Sequence, residues 1–300
     1  MRVLARLRNT LTTGALLIAA GALGLATAPS ASANEPIANP SITVTGGCGG
    51  ARSLVQIYWH SSNEASIHWK LTDTDRGDGK PPVLRMNAVG ADGSQPFQFV
   101  NGETAAVLHG DTVSGGEDTW NPSDIAQFRR LQIITQNGNT ASGVECSTTK
   151  SVYNFSRVAY HYSLDQIDKQ YVLNHAGPDT FDCSGLVYHS YNRVPDLPSE
   201  WTRKSANSYY AWAVTKAADN DSNNSNLEPL DVLKVPVSER QVGDLVFYDG
   251  HVGFYAGDNR LYSALNPNVD IGYSSLDIGV PRLDKDHYYR IVGVRSTTSS

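Results

Sequence analysis

Cysteine placement constrains this chain more than any other feature. Cys48 and Cys146 bracket one stretch of sequence, and Cys183 stands alone beyond it. A Cys48–Cys146 crosslink would close nearly all of residues 36–148 into one loop, worth roughly 4–5 kcal/mol at most by chain entropy. An odd count in an oxidising compartment leaves one thiol unpaired, either inert or reactive. The N-terminus points to such a compartment. Arg2, Arg6 and Arg8 precede an apolar stretch from Gly14 to Ala26, and Ala31-Ser32-Ala33 has the small-residue form of a cleavage site. Residues 1–33 therefore read as a signal peptide. The remainder is expected to be secreted, with no membrane contact after cleavage.

Residues 1–33 hold three Arg and no acid, so the rest carries 21 basic and 30 acidic side chains. That balance, with no basic patch, argues against nucleic acid as a partner. Residues 36–148 read as β-rich. Ile67 to Thr72 alternates apolar and polar, as a half-buried strand does. Val55 to Trp59, Val83 to Val89, Phe97 to Val100, Ala105 to His109 and Leu131 to Thr135 are further strand candidates. Turn-forming clusters separate them, at Arg76–Gly79, Asp92–Ser94, Ser114–Gly116 and Gln136–Asn139. The expectation is a sandwich or small barrel. It forms an accessory domain through which a protein partner could act.

The pattern changes near Lys150. Val152, Phe155, Ala159 and Tyr162 recur at helical spacing, and Asp182 is placed to cap a second helix carrying Leu186, Val187, Ser190 and Tyr191 on one face. Asp219 to Asn226 has no apolar residue and reads as an exposed loop. Strands are expected at Leu245–Tyr248, His251–Ala256, Arg260–Leu265 and Ile291–Val294, with Gly257-Asp258-Asn259 turning the chain. Helices followed by consecutive strands make residues 151–295 an α+β domain. Residues 296–300 read as a flexible tail.

Cys183 opens the second helix, where unpaired N–H groups and the macrodipole favour a thiolate. Nucleophilic cysteine chemistry also needs a base and a group that orients the base. His251, at the head of a strand, is the candidate base. With a turn at 257–259, Gly253 faces Ser263, and Ser263 lies diagonal to His251 about 7–8 Å away between Cα atoms. A water bridge is expected to span that gap. Asn266 or Asn268 would take the orienting role if the strand bulged.

Asp182-Cys183-Ser184-Gly185-Leu186, followed by Gly243-Asp244-Leu245-Val246-Phe247 and His251-Val252-Gly253-Phe254-Tyr255, resembles the NlpC/p60 cell-wall peptidases. The resemblance covers residues 151–295. It implies a papain-like fold, Cys183 as nucleophile, His251 as base, Ser263 at the third position, and a Cys183 backbone N–H in the oxyanion hole. It implies Tyr171, Asp182 and Ser184 as substrate-binding residues, peptidoglycan stem peptides cut between D-glutamate and a diamino acid, and neither metal nor cofactor. Two positions depart from the family. Ser263 stands where His, Asn or Gln is usual, and Val172 to Gly177 replaces a Gly-Gly pair after the tyrosine. The rival expectations are a domain that binds wall peptide or a protein partner without turnover, and an acyl transferase.

Other features read as structural. His175 and His189 lie near Cys183 in sequence. Asp73–Gly79 fails the EF-hand spacing and reads as a surface turn. Trp59, Trp69 and Trp120 read as core residues rather than a sugar-stacking platform.

Overall fold

Among the described residues, strands supply far more of the regular structure than helices. The computed structural model describes residues 42–59, 65–75, 77–90, 97–101, 112–120, 128–139, 141–219 and 227–299. Residues 1–33, Ala105–His109 and the Asn-rich run from 220 to 226 lie outside the described residues. So do the side chains of Trp59 and Trp120.

The N-terminal strands are β1 (Ile42–Cys48), β2 (Ala51–Trp59), β3 (Ala65–Asp73), β4 (Pro82–Gly90), β5 (Phe97–Asn101), β6 (Thr112–Trp120), β7 (Phe128–Asn137) and β8 (Cys146–Asn154). There follow α1 (Phe155–Leu164), β9 (Gln170–Tyr171), β10 (Thr180–Phe181), α2 (Cys183–Asn192) and α3 (Ala206–Asp219). The chain ends with β11 (Asp231–Pro236), β12 (Leu245–Tyr248), β13 (His251–Tyr255), β14 (Arg260–Ala264), β15 (Ile271–Ser275) and β16 (His287–Ser299).

Strands β1, β2, β3 and β6 form one antiparallel sheet. A larger sheet runs in the order β15-β14-β13-β12-β16-β8-β7-β4-β5, with β11 also paired to β16. Val44, Val55, Ile67 and Leu71 from the small sheet pack with Met86, Leu131, Ile133, Val152 and Val246 from the large one. On the other face of the large sheet, α1, α2 and α3 bury Val158, Leu186, Tyr191 and Tyr209 against Leu245, Phe247, Phe254 and Tyr262.

Four expectations need correction. The boundary near Lys150 falls inside β8, which pairs with β7 on one side and β16 on the other. The large sheet is therefore continuous from the β-rich region into the helical one. The helical spacing read from Val152 onward holds only from Phe155, where the helix starts, capped by the Asn154 side chain, and Val152 belongs to the strand. Residues 296–299 are not a tail but continue β16, with Ser296 opposite Lys150 and Ser299 opposite Ser147. Ser114–Gly116 is no turn but the middle of β6. In each case pairing with a strand distant in sequence overrode the local signal.

Cys48 and Cys146 form a disulfide with Cα atoms 5.9 Å apart. It joins the end of β1 to the start of β8. Trp69 is buried. Asp73, Asp75 and Asp78 each accept a backbone N–H two residues on, which makes the acidic run a series of short turns.

Candidate active site

Cys183 is the one free cysteine of the three, and it is buried. Asp182 caps its helix with extended backbone, and its Oδ1 accepts from Gly185 N–H at 2.6 Å. Leu186, Val187, Ser190 and Tyr191 are all buried on that helix, so its apolar face and its cap both follow the local sequence.

The sulfur lies against β13. Register explains why there is room for it. Phe254 pairs with Tyr262 and Tyr255 with Leu261, and the β13–β14 ladder goes no further toward the Gly250 turn. Alternate residues of β13 aim their backbone groups at β14. Beyond Phe254, that leaves the Val252 N–H and the Gly250 carbonyl without strand partners. Cys183 lies against this open edge. Its Sγ lies 3.9 Å from the Gly250 carbonyl oxygen, and the nearby Val252 N–H favours the charged form of the sulfur. His251 sits between these two contacts in the chain. Its backbone is therefore held beside the sulfur.

His251 Nε2 and Ser263 Oγ are 3.1 Å apart, with the two side chains 8% and 1% exposed. The contact is direct, so no water spans it. The pairing of β13 with β14 extrapolates to Gly253 opposite Ser263, as the turn at 257–259 required. A Cβ on Gly253 would lie 2.9 Å from Ser263 Cβ and 2.7 Å from Leu261 Cδ1. Glycine there lets the hydroxyl reach the ring. Asn266 is used otherwise: its side chain and carbonyl close the turn to Asn268, Val269 and Asp270.

Burial dominates the electrostatics. It pushes the His251 imidazole down to about 4, against a smaller upward pull from Asp182. It pushes the Cys183 thiol up, with Val252 N–H, Ser184 N–H and Arg203 pulling the other way. The helix start is expected to favour a thiolate; burial works against that expectation, followed by the Asp182 charge.

Tyr171 reaches the same place from β9. Its N–H donates to Asp270 Oδ1 at 2.9 Å, and β9 runs parallel to β10, which leads directly into Asp182. Burial raises the Tyr171 hydroxyl, followed by the charges of Cys183 and Asp182. Asp182 and Ser184 meet at 3.0 Å. The two histidines near Cys183 in sequence face elsewhere. His175 Nδ1 pairs with Thr180 Oγ1 at 2.7 Å, and His189 packs edge-on to Phe181.

Two polar residues here escaped the sequence reading. Arg203 donates from Nη2 to both Asp182 oxygens at 2.8 Å and from Nη1 to Ser184 Oγ at 2.8 Å. Asn207 bonds the turn that precedes His251. Neither residue lies in a recognisable motif, and their partners are far away in sequence.

A free cysteine at a helix start, an imidazole from a nearby strand and a hydroxyl behind it are the groups a papain-like cysteine peptidase domain uses. Residues 168–282 are an NlpC/P60 domain, matching the NlpC/P60 family. The chain is 30% identical over 159 residues to "Probable endopeptidase YafL" of Escherichia coli (strain K12), a match covering 52% of this chain and 56% of the relative. It is 30% identical over 147 residues to murein DD-endopeptidase MepH of the same organism, covering 46% of this chain and 47% of the relative. The chain thus spans about half the length of these relatives. A solved structure of the peptidoglycan hydrolase RipB from Mycobacterium tuberculosis aligns over 45% of this chain and 63% of its own, at 20% identity and a TM-score of 0.30.

Proposed function

We propose that this protein is a secreted cysteine endopeptidase that hydrolyses amide bonds in peptidoglycan stem peptides. The observation that carries the reading is the Cys183 thiol 3.9 Å from the Gly250 carbonyl oxygen, with the next residue, His251, bonded through Nε2 to Ser263 at 3.1 Å. If Nε2–H donates to Ser263 Oγ, Nδ1 is left as the acceptor for the thiol proton. The thiolate then attacks the substrate carbonyl carbon, and the C=O electron pair moves to oxygen. The Cys183 backbone N–H at the start of α2 is available to that oxyanion. Imidazolium returns its proton to the departing amine as the C–N bond breaks. Water, deprotonated by the same imidazole, releases the thioester.

The family resemblance assigns Tyr171, Asp182 and Ser184 to the peptide; Asp182 and Ser184 are themselves buried against Arg203, which leaves partly exposed Tyr171 as the residue of the three that would meet it directly. The signal-like N-terminus and the Cys48–Cys146 crosslink support export, with the β-rich region positioning or regulating the hydrolase. The bond between D-glutamate and the diamino acid is our assignment; a relative named as a DD-endopeptidase makes the cross-link the alternative.

The test is amine release from two purified muropeptides, an uncrosslinked one and a cross-linked one, by protein lacking residues 1–33. New termini from the first alone support our assignment. Release from the cross-link alone moves the cleavage to the DD bond. No release from either, with Cys183→Ala indistinguishable from wild type, removes the hydrolase reading. A second reading, binding without turnover, is motivated by Ser263 and the raised thiol. Fast neutral-pH alkylation of Cys183 that is lost in His251→Ala counts against it.

A further inference from the structure

Asn207 lies exposed at the start of α3, outside every motif of the site, yet it grips the hairpin turn that delivers His251. Its Nδ2 donates to Asp249 Oδ1 at 3.2 Å, and its Oδ1 accepts from Gly250 N–H at 2.8 Å. Four residues earlier, Arg203 holds Asp182 and Ser184, the residues on either side of Cys183. One short segment thus bonds to both halves of the reacting pair.

The turn needs that grip. Tyr248 pairs with His251, so Asp249 and Gly250 form a two-residue hairpin loop. Gly250 has φ +70°, whereas Asp249 is outside the left-handed region. A two-residue loop whose twist matches its strands has positive φ at both central residues or at the first. This one has it only at the second. The loop is instead braced from outside, by Asn207 on one flank and by Asp249 N–H donating to the Pro281 carbonyl at 3.1 Å on the other. Gly250 carries two of the contacts that matter. Its N–H goes to Asn207, and its carbonyl faces the Cys183 sulfur. The Asn207 amide therefore continues the edge of β13 where β14 has left it, and fixes the peptide to which His251 is joined.

We infer that Asn207 is a positioning residue: it sets the distance and angle of His251 to Cys183 through the Asp249–Gly250 turn. The inference rests on the peptidase reading. It concerns proton transfer and attack, not affinity, because Asn207 acts on the reacting pair.

The experiment compares wild type, Asn207→Ala, Asn207→Asp and the exchange N207D/D249N, using muropeptide cleavage and iodoacetamide alkylation of Cys183. Small misplacements of reacting groups cost up to about 100-fold; for two bonds at the surface we expect kcat and the alkylation rate in Asn207→Ala to fall roughly tenfold. KM and the unfolding midpoint should stay unchanged. Asn207→Asp should fall at least as far, because two carboxylates then face each other. The exchange should recover most of the rate: the amide moved to the turn can donate to the carboxylate moved to α3, and that carboxylate still accepts from Gly250 N–H. Wild-type kcat and alkylation in Asn207→Ala would overturn the inference while leaving the peptidase reading intact, as would an exchange no faster than Asn207→Asp. If wild type cleaves nothing, the peptidase reading fails. Alkylation then decides by itself: slower in Asn207→Ala supports the inference, and an equal rate overturns it.

Discussion

Replacing Ser263 with alanine removes the partner of His251 Nε2, and the structure sets the size of the effect. The contact is 3.1 Å long, between side chains that are almost wholly buried. No water can readily replace the lost hydroxyl, so an Nε2–H tautomer would hold an unsatisfied buried donor. That costs about 1–3 kcal/mol. Part of the cost can be escaped by moving the proton to Nδ1, the nitrogen that accepts from the thiol in the proposed mechanism. A bias of about 1–3 kcal/mol against the productive tautomer leaves it roughly 5–150-fold less populated. Ser263→Ala should therefore lower kcat by about 10- to 100-fold with KM little changed, and Ser263→Asn should retain more activity than Ser263→Ala. Steady-state amine release measures the first effect, and Cys183 alkylation gives the same comparison without substrate. A Ser263→Ala protein within twofold of wild type in both assays would refute the claim that this hydroxyl orients the ring.

Three further outcomes follow from the same contacts. Because burial lowers His251 from an ordinary 6.5 to about 4, the unfolded chain binds the extra proton between those values; stability should be full above pH 6.5 and decline as pH falls toward 4, by about 3 kcal/mol. Urea titrations across that window should show a decline that a His251→Phe variant largely lacks. The Asp244–Arg290 pair is wholly buried, with bonds of 2.8 Å from Nε and Nη2; Asp244→Ala should cost about 3–5 kcal/mol in denaturant unfolding, and Asp244→Leu with Arg290→Met should recover much of that. Replacing Cys48 and Cys146 by serine opens a loop with a sequence separation of 98, lowering stability by up to about 4–5 kcal/mol while leaving Cys183 alkylation unaltered.

Local interactions were enough to place part of the site. The Asp182 cap, the buried face of α2 and the three strands β12, β13 and β14 could be read directly, since caps, period-two alternation and turn residues act over a few positions. The 257–259 turn also set the register, and register carried Ser263 to His251. Tertiary structure decided the rest. How strongly the Cys183 thiol is pushed up depends on how deeply α2 sinks against β13, because burial is the main cause of that shift. Alternation tells which face of a strand is apolar but not which strand lies beside it. Hence the join of β8 to β16, which carries the sheet across Lys150 and orders residues 296–299, could not be seen locally. Arg203 and Asn207 matter only because folding brings them to Asp182 and Gly250, contacts that leave no periodic trace in the chain.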